Sequence, residues 1–108
     1  IERLLPQVMA ANPDIIGIYA STAGHEGLLR HLHSHMTAPK PVVVAHELTP
    51  MTRDALASGL FDVVISQDTG HLVRSAVRIM RANRDGLPIN PAQERIRIDV
   101  YLKENLPV

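Results

Sequence analysis

Three short apolar runs, separated by stretches with helical periodicity, constrain this chain more than any other feature. Ile15-Ile16-Gly17-Ile18-Tyr19, Val42-Val43-Val44-Ala45 and Phe61-Asp62-Val63-Val64-Ile65 are each strand-sized. Between them, apolar residues recur every three or four positions. Ile1, Leu4, Leu5, Val8 and Met9 form one helical stripe, with Pro6 marking a start or a bend. Leu28, Leu29, Leu32 and Met36 form a second stripe within Gly24 to Met36. Thr49 is a good helix N-cap, Pro50 suits the first helical position, and Gly59 is a natural stop. Asp68 or Thr69 caps a fourth helix through Leu72, Val73, Ala76, Val77 and Met80, ending near Asp85-Gly86. Leu87 to Glu94 reads as loop. From Arg95 to Leu102, Arg95, Arg97, Asp99 and Tyr101 alternate with Ile96, Ile98, Val100 and Leu102, a period of two that marks a half-buried edge strand.

Strands alternating with helices predict an α/β fold with an open parallel sheet and right-handed crossovers. Continuous apolar strands suit a three-layer arrangement, with the sheet covered on both faces. The 108 residues allow one small domain.

Composition narrows the function. Eleven Lys plus Arg balance eleven Asp plus Glu, so the basic excess expected of a free-standing nucleic-acid binder is missing. Cysteine is absent, which excludes thiol catalysis and cysteine ligation of metal. No apolar run, the strand-sized Pro41 to Ala45 included, approaches the ~20 residues of a membrane span. The first residues do not read as a signal peptide. The chain opens without methionine in mid-pattern, as a piece of something larger would.

In open parallel sheets, ligands bind beyond the carboxyl ends of the strands. Those ends are followed here by Ser21-Thr22-Ala23-Gly24, by His46-Glu47-Leu48-Thr49 and by Ser66-Gln67-Asp68. Hydroxyls, an amide and carboxylates suit a hydroxyl-rich ligand such as a sugar. Ser21, Thr22, Thr49 and Asp68 serve equally well as helix caps, whereas Glu47 and Gln67 are harder to explain that way.

Other motifs point to less. His31 and His35 share a helix face at i, i+4, but no third ligand and no His-Glu-x-x-His pattern accompanies them, so a solvated face is the plainer reading. Arg74, Arg78 and Arg81 form a basic stripe that fits an exposed polar face better than a phosphate site. No Gly-x-Ser-x-Gly elbow, Gly-x-Gly-x-x-Gly turn or phosphate loop occurs. His46 beside Glu47 is the one acid-base pair a small α/β enzyme would have. Neighbours on a strand point to opposite faces, so the chain is expected to be non-enzymatic.

Asn12-Pro13-Asp14-Ile15-Ile16-Gly17-Ile18-Tyr19 followed by Gly24-His25-Glu26-Gly27 resembles the effector-binding domain of LacI-family bacterial transcription regulators. So do Val44-Ala45-His46-Glu47-Leu48-Thr49-Pro50, Asp62-Val63-Val64-Ile65-Ser66-Gln67-Asp68, and the ending Ile96 to Pro107. The resemblance spans nearly the whole chain in order. It implies a periplasmic-binding-protein-like fold, of which this chain is part of the C-terminal lobe. Residues 1–67 would belong to that lobe, 68–94 would cross to pack on the absent N-terminal lobe, and 95–108 would return as an edge strand and tail.

The resemblance further implies a small-molecule effector, a sugar or sugar derivative, held between two lobes, with no metal and no cofactor. DNA would be read only by an absent N-terminal helix-turn-helix, coupled to the effector site. Ser21 matches the position where the family often has Asn facing the ligand. Glu47 matches an acidic residue, commonly Asp, that takes sugar hydroxyls, and Gln67 matches the interlobe Gln. Thr22, His46 and Asp68 flank these as further ligand candidates. A cytoplasmic homodimer without membrane contact is the expectation, with the stripe of Leu72, Val73, Ala76, Val77 and Met80 open to exchange between copies. The same fold also serves periplasmic sugar-binding proteins of transporters, which is the alternative.

Overall fold

The computed structural model describes residues 1–21, 23–35 and 39–107. Their contacts divide the chain into two compact units, residues 1–65 with 100–108, and residues 66–99. The elements run α1 (Leu4–Ala11), β1 (Gly17–Ala20), α2 (His25–Ser34), β2 (Val42–His46), α3 (Pro50–Ser58), β3 (Val63–Gln67), α4 (Thr69–Asp85), α5 (Pro91–Glu94) and β4 (Ile98–Tyr101). The α/β class and the open sheet are as expected. The strand order is β1-β2-β3-β4, and β1 pairs with β2 and β2 with β3 in parallel.

In the first unit the strands follow a strict inside-outside alternation. Ala20, Val43, Ala45 and Val64 are buried on one face, against Leu28 and Leu32 of α2, Ala55 and Leu56 of α3, and Phe61. Leu5 of α1 packs against the same cluster. The opposite face is open: Tyr19 is 63% exposed and Val42 55%. Within this unit one face of β1 and β2 is covered, where their apolar runs suggested cover on both. Helices α1 to α3 all pack on the Ala20–Val64 side.

Local chemistry sets the element ends. Helix α3 begins with Thr49, whose hydroxyl accepts from the Thr52 amide, has Pro50 in its first turn, and ends at Gly59 in the left-handed region at φ 83°. That glycine avoids the Cβ clash other residues meet there. Strand β1 starts later than its apolar run, because the Ile15 amide donates to Asn12 O in a turn and Ile16 is left exposed. Strand β3 also starts later than expected. Phe61 and Asp62 are anchors instead, with the Phe61 amide donating to Ala55 O and the Asp62 carboxylate accepting from the Val43 amide and Lys40 Nζ.

The second unit is built on α4, with Asp68 as N-cap and Gly86 as C-cap, as the sequence indicates. The stretch read as loop contains α5, capped by Asn90 and opened by Pro91. Its Glu94 carboxylate accepts from the Ser75 hydroxyl and from Arg78 Nε and Nη2 at 2.9 and 3.2 Å. The basic stripe is thus partly spent: Arg78 is a latch for α5.

Strand β4 lies at a sheet edge as expected, but is shorter, Ile98–Tyr101. Ile98, Val100 and Leu102 are exposed, while Asp99 and Tyr101 are half-buried. Tyr101 packs against the core cluster, and a period of two then turns its neighbours outward.

Candidate functional site

Parallel pairing brings the carboxyl ends of β1 and β2 to the same edge. Ala20 pairs with Ala45, so Ser21 and His46 each follow directly from a paired residue. Ser21 is exposed, His46 half-buried and Glu47 exposed. Thr22 lies outside the described residues. Gln67, exposed, closes β3, and Asp68 follows it; both belong to the second unit.

Glu47 is the unusual member of the set. Its backbone lies in the left-handed region at φ 69°, the one described non-glycine residue there. A β-carbon in that region meets the following carbonyl, at a cost of roughly 1–2 kcal/mol, so the surrounding structure must hold it. That support is visible. The Glu47 amide donates to Ile65 O at 2.8 Å, and its carbonyl accepts from the Thr52 hydroxyl at 2.7 Å and from the Thr49 amide at 3.2 Å. Thr52 Oγ1 in turn accepts from the Thr49 amide at 2.8 Å, and Thr52 is fully buried. The cap of α3 and the turn at Glu47 are therefore one hydrogen-bonded piece. The Glu47 carboxylate has no ion-pair partner among the described residues.

Sequence reasoning missed Thr52. A signal exists in Thr49-Pro50-Met51-Thr52, a capping-box spacing with threonine in place of the usual Glu or Gln. Tyr19, part of the first apolar run, makes the other contact that the sequence does not announce. The hydroxyl of Tyr19 and His46 Nε2 share a hydrogen bond of 2.5 Å on the open face of the sheet, with the rings edge-on at 5.4 Å. His46 is thus engaged by Tyr19, and no His46–Glu47 hydrogen bond forms.

Asp68 takes the capping role. Its Oδ1 accepts from the His71 amide at 2.9 Å, and this bond, helped by Arg74, holds the carboxyl below the usual aspartate range. A groove of about 570 Å3 lies beside the Glu47 turn, between the starts of α2 and α3, lined by Ala23, Gly24, His25, Glu26, Thr49, Pro50 and Met51. Its size is that of a small-ligand cleft. Ser21, His46 and Glu47 are not among its lining residues. Among the described residues no three His, Asp or Glu side chains gather as a metal site, and no helix is long and apolar enough to cross a membrane.

The mostly parallel open sheet, with helices crossing between strands, matches a periplasmic-binding-protein-like fold. Among solved structures, the chain is similar to GanP, a glucose-galactose binding protein from Geobacillus stearothermophilus, with a TM-score of 0.85 and 17% identity. That likeness covers 99% of this chain and 38% of GanP. A chain of the XylFII-LytSN complex is similar at a TM-score of 0.78 and 17% identity, over 97% of this chain and 37% of that one. This chain therefore spans less than two fifths of either neighbour, and at such identity the likeness is one of fold. No family model matches the sequence, and no curated protein does.

Proposed function

We propose that this chain is the C-terminal part of the effector-binding domain of a LacI-family transcription regulator, and that the whole protein binds a sugar or sugar derivative. The observation behind the ligand reading is Glu47, an unpaired carboxylate presented at a strand end in a strained conformation that a buried threonine holds. Strain kept at an exposed polar residue is characteristic of binding sites. The fold neighbour that binds glucose and galactose supports the sugar class. The regulator reading rests on the sequence resemblance over residues 12–19, 24–27, 44–50, 62–68 and 96–107. In it Ser21, Glu47 and Gln67 contact the ligand, and Thr22, His46 and Asp68 flank them. The protein is a cytoplasmic, non-enzymatic homodimer that meets DNA only through an N-terminal reader.

The likeness to GanP equally supports a second reading, the sugar-binding subunit of a transporter. Calorimetric titration of the full-length protein with neutral sugars, glucose and galactose included, and with sugar phosphates separates the two when operator release is followed in parallel. Sugar binding that shifts DNA affinity is the expected result, and sugar binding without DNA affinity selects the transport reading. A charge-assisted hydrogen bond contributes about 1.5–3 kcal/mol, so Glu47→Ala should weaken binding by roughly 10–100-fold. No binding of any sugar overturns the ligand class.

A further inference from the structure

The second half of α2 holds a feature the ligand site does not use. His31 and His35 stand one helical turn apart, with ring centroids 4.3 Å apart and planes inclined by 22°. The Nδ1–H of His35 donates to the His31 carbonyl at 3.0 Å. A carbonyl only accepts, so that bond puts the proton on Nδ1 and leaves the Nε2 lone pair free. Metal-binding histidines are commonly oriented by this kind of backbone contact on the other nitrogen. In His31, Nδ1 is buried without a hydrogen-bond partner, and Nε2 is the nitrogen left for an outside ligand.

We infer that His31 and His35 form a two-imidazole site for a borderline divalent cation, copper(II) above nickel(II) or zinc(II), with water completing the coordination. Cis nitrogens about 2.0–2.1 Å from one ion lie roughly 3 Å from each other. The stacked rings must splay for both Nε2 atoms to meet one ion, and the exposed His35 is the ring that turns. Two neutral nitrogen donors rank divalent ions in the Irving–Williams order and discriminate against the oxygen-seeking magnesium and calcium. The buried Nδ1 goes unpaired in either tautomer, so ligation at Nε2 adds no further unpaired atom. The sequence pattern alone favoured a solvated face; the ring stack and the oriented tautomer are what the structure adds.

The test titrates copper(II) alone into the 108-residue chain. Electron paramagnetic resonance counts the bound nitrogens, and thermal unfolding reads stabilisation by a ion that binds the folded state. Two equivalent nitrogens and a raised unfolding midpoint are expected. Loss of an outer partner of a metal-bound histidine costs about 10–100-fold in affinity, so loss of a ligand should cost at least as much. His35→Ala should therefore weaken binding at least about tenfold and leave one nitrogen, while His33→Ala, two positions from either ring, should change neither. An equal loss in His33→Ala and His35→Ala, or no binding below millimolar copper, overturns the site. His35 is exposed, so its variant tests the ligand without emptying the core.

Discussion

The two units solve the same problem, holding helices in place, by different physics. In residues 1–65 with 100–108, helices α2 and α3 put Leu28, Leu32, Ala55 and Leu56 onto Val43, Ala45 and Val64, all under 5% exposed. In residues 66–99, the 17-residue α4 buries only Ser75 among its described residues, while Val73 and Met80 are 62% and 63% exposed. That helix is defined by its ends, Asp68 and Gly86, and tied to α5 by polar contacts. A strongly amphipathic stripe therefore does not by itself make a core. It makes one only where a partner surface meets it.

The largest effects should fall on the first unit. Leu56→Ala removes a fully buried side chain next to Val43 and Val64 and should cost about 2–5 kcal/mol, read as a shifted denaturation midpoint. Met80→Ala on α4 should shift it by less than about 0.5 kcal/mol, the usual range for surface changes. If Met80→Ala approached Leu56→Ala in effect, the exposed stripe would be covered in solution, as exchange of α4 between copies would do. A molecular mass that rises with concentration would then accompany it.

How legible each feature was in the sequence depended on how local its cause is. Helix α3 was readable to the residue because Thr49, Pro50 and Gly59 each act within one turn. Helix α5 was missed because Asn90 and Pro91, its cap and first residue, are also loop formers, and four residues show no periodicity. The alternation in 95–102 revealed a strand but not which face is inward. That sign is set by Tyr101 meeting a core distant in sequence. At the candidate site, residue types were legible and conformations were not. Nothing at Glu47 itself signals φ 69°; its cause is the hydroxyl of Thr52, five residues on. The Tyr19–His46 bond spans 27 positions and depends on the parallel register of β1 with β2.

Thr52 gives the intermediate test, since it joins the buried core to the candidate site. Thr52→Val keeps the shape but removes the hydroxyl, leaving the Glu47 carbonyl and the Thr49 amide each short of a partner. Those two groups keep their 3.2 Å bond to each other, so the loss is that of the hydroxyl's own hydrogen bonds, about 0.5–1.5 kcal/mol each. Proton chemical shifts and amide exchange at residues 47–49 should change with it, because the turn loses its brace. A neutral Thr52→Val with an unchanged turn would mean that the Ile65 and Thr49 backbone contacts hold Glu47 without it, and Thr52 would be a core residue only.

The smallest effect should appear in the second unit, at the latch that replaces a core. Hydrogen bonds from Arg78, then from Ser75, hold the Glu94 carboxyl below the ordinary glutamate value of 4.5. A carboxyl whose pKa is lower folded than unfolded stabilises fully above the ordinary value and loses that contribution as pH falls through the folded value. The latch should therefore be closed at neutral pH and open only on acidification below the usual glutamate range. Amide signals of residues 91–94 should move through this transition while those of α2 and α3 do not. Glu94→Gln should abolish the transition and leave the global unfolding midpoint nearly unchanged, because α5 buries no residue of its own. Were the midpoint instead to fall as far as in Leu56→Ala, the polar latch would be supporting the fold of the first unit as well, and the contrast between the two halves would collapse.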